Sequence, residues 1–281
     1  QTMGSITQNA VESYLCSDGL PIGQSPLYQG ATDPSIENSF LNRDPRLYQT
    51  VADSLRIMGA VGMNYTAGGS PTGYPTKKFL NYAEAMYEAG NFSQAVLDAS
   101  INQLRKRQLT KWGDTEAKTM PTMTYASGAL SVNGTVINDP ARDPEVDPVL
   151  WEIRRERRVE LMMEGRRGED LRRWAKYEYL NSEDANGNPS KTILGAYMNV
   201  NDYPTSAALP AAERGYTLFD YDDPSNKTPD KGYIMYNYAK GMRVFQKGDI
   251  NSERYYFRAI PVSQITAYSD KGFTLTQNPG W

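Results

Sequence analysis

DPVLWEIRRERRVELMMEGRRGEDLRRW, residues 147–174, is the stretch that decides how the chain is read. Asp147 suits a helix N-cap and Pro148 the first turn, where a missing N–H costs nothing. The spacing predicts a helix to about Glu164, a break near Gly165 and a continuation through Glu169 to Tyr179. On that helix Glu152, Glu156, Glu160 and Glu164 form a row on the same side as Val149, Ile153 and Met163. Carboxylates on a partly apolar face need cationic partners, or burial drives them neutral. The interleaved Arg154, Arg155, Arg157 and Arg158, with Arg166, Arg167, Arg172 and Arg173 beyond the break, are available for that pairing. The arginine run is therefore read as a structural ion-pair network rather than a phosphate or nucleic-acid patch. The same arginines argue against an acid/base pair in the glutamate row, because they lower carboxylate pKa values and spoil a general acid.

Upstream, residues 80–108 read as two helices joined at Gly90-Asn91, with Gly90 at a helix C′ position and Asn91 starting the next helix. On the second, Phe92, Ala95, Val96 and Ala99 share one face, while Leu97, Ile101 and Leu104 fall nearly opposite. A helix apolar on two sides is sandwiched between neighbours, as in one tetratricopeptide-like hairpin of a stacked array. Residues 110–146 form a polar connection with a hairpin expected at Val132-Asn133-Gly134-Thr135-Val136, where Asn-Gly favours a type I′ turn. Three regions result. Residues 1–79, rich in Gly, Pro, Ser, Asn and Tyr, read as loops with short strands and a helical turn. Residues 80–180 hold the hairpin and the Arg/Glu helix. Residues 181–281 are loop-rich, with Tyr233–Tyr238 and Tyr255–Pro261 extended and a short helical turn from Pro261. The fold class is mainly α (α+β), hairpins supporting a loop-rich face.

Composition removes several chemistries. The 281 residues carry a net charge of −3, which gives no global field for polyanions. There is no histidine and a single cysteine, so Ser-His-Asp, Cys-His and HExxH centres, nitrogen/sulfur zinc sites and an internal disulfide are all excluded. Cys16 follows Ser13-Tyr14-Leu15 with no apolar run before it, so it reads as a buried thiol rather than a lipidation site. Asp184, Asn186 and Asn188 alternate as a calcium loop begins, but Pro189 and Gly195 stand where such a loop needs Gly and Glu. A plain turn is expected there, and a solvated loop at Asp220–Asp223. No metal, cofactor or catalytic residue is assigned.

Tyrosine is in excess: 20 Tyr against 7 Phe and 4 Trp. A hydroxyl must be satisfied or left wet, so half-buried rings suit flat recognition of amphipathic ligands such as sugars, whose C–H faces stack while their hydroxyls bond to amides. The loop-borne Tyr14, Tyr28, Tyr65 and Tyr74, with Gln29 and Asn64 as polar partners, are singled out. The ligand-binding assignment is Tyr28, Asn64, Tyr65 and Tyr74, with at least one ring expected as an exposed platform.

The helix from Asp147 to Trp174 resembles the signature of the SusD/RagB family, an Arg-rich, Glu-punctuated helix leading through Glu-Gly to Asp-Leu-Arg-Arg-Trp. Tyr82-Ala-Glu-Ala85, Asn102-Gln-Leu-Arg105, Asn42-Arg-Asp-Pro-Arg46, Phe257-Arg-Ala-Ile-Pro261 and the terminal Leu275–Trp281 resemble further family segments. The resemblance implies a SusD-like fold and a lipid-anchored protein on a Bacteroidetes-type outer membrane. Such a protein binds oligosaccharide without chemistry and delivers it to a SusC-type TonB-dependent transporter. The runner-up is the same architecture with an oligopeptide ligand, as in RagB-type members; a glycoside hydrolase, disfavoured because no exposed carboxylate pair stands out, is the reading from another class. Family members are longer, so the chain reads as their C-terminal portion. They also carry a segment between Gly73-Tyr74 and the Asn81 helix, where here Lys77-Lys-Phe79 runs almost directly on.

Overall fold

The computed structural model describes residues 7–51, 76–109, 117–184, 186–202, 217–235 and 245–281. The first region is more helical than its turn-rich sequence suggests. It holds α1 (Gln8–Glu12), α2 (Ile36–Phe40) and α3 (Pro45–Thr50), and its pairing in residues 7–51 is one isolated bridge, Cys16 to Arg43. The turn signals act as caps: Ser35 accepts from the Asn38 N–H, and Asp44 accepts from the Arg46 N–H beside Pro45. Cys16 is fully buried and unpaired, and burial pushes its thiol pKa up.

Next come α4 (Thr76–Glu88), α5 (Gln94–Ala99) and α6 (Ile101–Arg105). Gly90, at φ +71°, closes α4 with both bonds of a Schellman motif, Gly90 N–H to Tyr87 O and Asn91 N–H to Met86 O. The next helix starts two residues later than expected, on a Ser93 cap. It then breaks at Ser100, whose hydroxyl turns back to the Val96 carbonyl at 2.5 Å. Leu97, Ile101 and Leu104 enter the main core, and Phe92 packs edge-on against Tyr87 and Tyr125. The opposite face is only partly covered, for Val96 is buried while Ala95 and Ala99 are exposed.

A small antiparallel meander follows: β1 (Thr124–Ala126), β2 (Ala129–Val132) and β3 (Thr135–Val136). Asn133 and Gly134 have φ of 49° and 80°, the positive pair a type I′ turn needs. Asn102 docks this meander on the helices. Its side chain is fully buried, donating to Met123 O at 2.9 Å and accepting from Met123 N–H at 2.8 Å. Asn102→Ala would orphan the Met123 N–H and leave Met123 O only the 3.4 Å bond from Gln94, so chemical denaturation should show a loss of about 2 kcal/mol. An unchanged unfolding midpoint would show that the amide does not hold the meander.

Helix α7 (Pro148–Glu160) opens as the sequence predicts, Asp147 accepting from the Val149 and Leu150 N–H groups. It closes four residues early. Leu161 turns into the core, while Met163 and Gly165 take positive φ, so Met163 and Glu164 leave the glutamate row and are exposed. α8 (Arg167–Arg173) restarts beyond, followed by a 3₁₀ turn at Tyr177–Leu180. The last region holds a second sheet, β4 (Leu194–Asn199), β5 (Thr217–Phe219) and β6 (Lys231–Met235), ordered β4-β6-β5. It ends in α9 (Ile250–Glu253), a 3₁₀ turn at Arg254–Tyr256, and α10 (Val262–Ser269). The extended reading of 255–261 therefore fails at Tyr255 and Tyr256. The helical turn from Pro261 grows to eight residues, none of them buried.

α7 joins two cores. Val149 and Ile153 pack with Leu80, Leu97 and Met123, and Val159 packs with Tyr14, Phe40 and Leu47. Between these apolar contacts lies the glutamate row. No helix among the described residues is long and apolar enough to cross a membrane.

Candidate functional site

The charged centre of the molecule is assembled on α7 from segments far apart in sequence. Glu152 and Glu156 are almost fully buried. Arg105 donates to Glu156 at 2.8 Å and to Glu152 at 3.3 Å, and Arg46 donates to Glu156 at 2.9 Å and Glu160 at 3.4 Å. Asp44 holds Arg46 from the other side, through Nε and Nη2. Arg155 completes the cluster on Glu152 and Arg107 on Glu160. Asp44, Glu152, Glu156 and Glu160 thus face Arg46, Arg105, Arg107 and Arg155.

The pairing is structural, as the sequence predicts, but most partners differ. Of the arginines near α7 in sequence, Arg155 serves this row, Arg157 turns to Asp170 with two 2.8 Å bonds, and Arg173 grips Glu84 bidentately at 2.9 and 2.7 Å. Trp174 also donates to Glu84, at 2.6 Å.

The acid strengths diverge as well. Burial raises the Glu156 pKa, but the charges and hydrogen bonds of Arg46 and Arg105 outweigh it and hold Glu156 at about 2. For Glu152 and Glu160 burial wins over the arginines and the pKa rises. The expected depression therefore holds at Glu156 and fails at Glu152 and Glu160. Glu152 and Glu156 lie buried under guanidinium groups.

These contacts bring the separate sequence motifs together. Arg46 from the 42–46 segment, Arg105 from 102–105 and Glu84 from 82–85 all end on α7, α8 or Trp174. The SusD family model, which covers SusD and RagB, matches residues 76–281. The chain belongs to the SusD family. Two solved proteins of Bacteroides fragilis NCTC 9343 are similar to it. A SusD-like carbohydrate binding protein shares 21% identity over 92% of this chain and 46% of its own, at a TM-score of 0.48. A second SusD-like protein shares 17% identity over 99% of this chain and 47% of its own, at a TM-score of 0.43. This chain spans less than half the length of either. Among curated proteins, none matches the sequence.

In this SusD-family chain the residues singled out for ligand contact fare unequally. Asn64, Tyr65 and Tyr74 lie outside the described residues. Tyr28 is half-buried, its ring 5.3 Å from the Arg43 guanidinium, and burial raises its pKa. Gln29 beside it is exposed. Tyr14 belongs to the core: it has no exposed surface, and burial pushes its phenol to about 12. A five-residue helix ahead of it, α1, buries Val11 and turns the ring inward with it, which the absence of long periodicity concealed.

The proposed turns keep their carboxylates occupied. Asp184 accepts from the Asn186 and Asn188 N–H groups, and Asp220 from the Asp222 N–H. Among the described residues no cluster of His, Cys, Asp and Glu is placed to hold a metal ion.

Proposed function

We propose that the chain is part of a cell-surface oligosaccharide-binding protein that hands its ligand to a SusC-type TonB-dependent transporter in a Bacteroidetes-type outer membrane. The longer protein would be held there by an N-terminal lipid. One observation carries this reading: the SusD family match runs from residue 76 to residue 281, across α7 and every member of its charge cluster except Asp44 and Arg46. In this reading α4 with α5 and α6 is one tetratricopeptide-like unit, and the rigid charge cluster on α7 supports a loop-rich binding face. Tyr28, Asn64, Tyr65 and Tyr74 form that face, Tyr28 at its anchored edge over Arg43 and the other three carrying the ligand. Binding proceeds by stacking and hydrogen bonding without bond-making chemistry.

Titration of the chain against a glycan panel and an oligopeptide panel tests the proposal. Binding to at least one oligosaccharide, with no products after long incubation, is expected. Aromatic contacts contribute about 0.5–1.5 kcal/mol beyond burial. Tyr65→Ala or Tyr74→Ala should therefore weaken affinity roughly tenfold, as about 1.4 kcal/mol is one decade. Binding of peptides alone would move the protein to the RagB-type reading. Turnover abolished by Glu156→Gln or Glu160→Gln would overturn the non-catalytic assignment.

A further inference from the structure

Three arginines escape the pairing that the sequence assigns to the whole run. Trp151, Arg154, Arg155 and Arg158 lie on one face of α7 at helical spacing, away from the glutamate row, and line a cavity of about 150 Å³ with Arg167, Trp174 and Tyr179. Arg155 reaches back to Glu152. Arg154, Arg158 and Arg167 make no ion pair among the described residues. Arg154 lies 4.6 Å over the Trp174 ring, and its buried Nε has no hydrogen-bond partner. Arg167 sits 5.8 Å over the same ring and 5.9 Å over Tyr179. Arg158 donates to the neutral Asn9 amide at 2.6 Å.

The lining carboxylates are committed elsewhere. Glu12 takes Lys191 at 2.6 Å and Gln8 at 3.1 Å, and Asp139 takes the Trp151 indole at 2.8 Å with Arg155 at 3.8 Å. The result is positive charge packed against aromatic faces. A guanidinium over a ring keeps its in-plane N–H groups, five on each arginine, for an acceptor in the cavity. Burial lowers the pKa of all three, Arg158 to about 9 with Arg167 contributing, and Arg167 to about 10, and they stay charged at neutral pH; Glu84, Glu12 and Asp170 offset burial in part from a distance, but their own bonds go to Arg173, Lys191 and Arg157.

We propose that this cavity is an oxyanion site, which takes one sulfate-, phosphate- or carboxylate-sized group between Arg154, Arg158 and Arg167. Its volume accommodates several water-sized groups but falls below the ~300 Å³ at which pockets enclose larger ligands. A single anionic group is the chemistry that fits, either free or carried on a larger ligand. The site is independent of the glycan reading, since free ions suffice to test it.

The test is thermal unfolding of the full chain in sodium sulfate, phosphate, glucuronate and glucose, each against chloride at matched ionic strength. A ligand bound only by the folded state raises the midpoint, and a rise of about 2–4 °C in at least one oxyanion is expected. A shift with glucuronate but not glucose assigns a sugar carboxylate; a shift with sulfate or phosphate alone assigns a tetrahedral ion. Arg158→Gln keeps a donor for Asn9 and should abolish the shift while unfolding no earlier than the wild type in chloride; Arg167→Gln is the parallel variant. Equal midpoints in chloride and all three oxyanions would overturn the proposal, a result that needs no variant to fold. A full-size shift persisting in both variants would do the same.

Discussion

Glu156→Gln is expected to destabilise the chain by about 3–5 kcal/mol at neutral pH, read by chemical denaturation. That range is typical when one partner of a buried ion pair is removed and the other charge is left behind. The geometry places the case at the buried extreme. Glu156, Arg46 and Arg105 have side chains 1%, 7% and 0% exposed, so water cannot replace the lost carboxylate. Exposed pairs rarely exceed about 1 kcal/mol, which separates this variant from Glu169→Gln, whose partners Arg172 and Arg258 lie 3.7 Å away at the surface.

The pH dependence follows from the Glu156 pKa, which is lowered to about 2 in the folded state from about 4.3 in an unfolded chain. A carboxylate with a depressed folded pKa contributes stability that is present above the unfolded value and lost as pH falls through the folded one. The gap between wild type and Glu156→Gln should therefore be full at pH 7 and close between about pH 4.3 and pH 2. Glu152 and Glu160, raised by burial, act in the opposite sense but are common to both proteins. Arg105→Met with Glu156→Leu should cost less than the sum of the single changes, because no orphaned charge remains between them. A loss below 1 kcal/mol for Glu156→Gln would show that the cluster is more hydrated than its geometry implies.

What the sequence discloses divides along the distance between interacting residues. The Asp147-Pro148 start of α7, the Gly90 stop of α4 and the Asn133-Gly134 turn are all legible, because each rests on backbone needs met within four residues. The need of the glutamate row for cations is legible too, since it follows from helical spacing alone. Which cations meet it is not: Arg105 is 51 residues from Glu156 and Arg46 is 110 residues away, and no local rule selects them over the neighbouring arginines. Their membership in recurring family segments is the signal that marked them. Arg154, Arg158 and Arg167, which make no ion pair among the described residues, were hidden for the same reason, because a run of mixed charge looks balanced until the helix separates its faces. Tyr14 shows the limit for aromatic residues. A loop-borne tyrosine and one buried by a five-residue helix carry the same local signature, and only the long-range packing with Phe40 and Leu47 distinguishes them.

Arg43→Met is expected to destabilise the chain by at least about 3 kcal/mol, an effect that no ion pair explains. Arg43 is 3% exposed and spends its side-chain donors on backbone carbonyls: Val11 at 2.8 Å, Tyr14 at 3.0 Å, Leu15 at 3.3 Å and Ser39 at 2.7 Å. The Ser39 carbonyl is a group that α2 leaves without a backbone donor near its C-terminal end, and the Val11 carbonyl at the end of α1 takes Arg43 in addition to the Tyr14 N–H at 3.2 Å. One planar guanidinium therefore joins two short helices and the strand-like segment between them, which explains how helices of five residues persist when isolated helices of that length do not. Burial lowers the Arg43 pKa, yet carbonyl dipoles, its Tyr28 cover and the raised cost of an unsatisfied interior keep the group in place. Hydrogen bonds to charged groups contribute about 1.5–3 kcal/mol each, and the four here share a single desolvation cost, so a sum would overstate the loss. Arg43→Lys discriminates between charge and shape. Three donors on a flexible stem cannot reach four carbonyls fixed around a plane. The lysine variant should therefore recover less than half of the lost stability. Amide hydrogen exchange should localise the damage, with protection falling in residues 8–16 and 36–47 and holding in α7. Full recovery by lysine would show that charge alone organises the segment, and uniform loss of protection would show that Arg43 supports the whole fold rather than this corner of it.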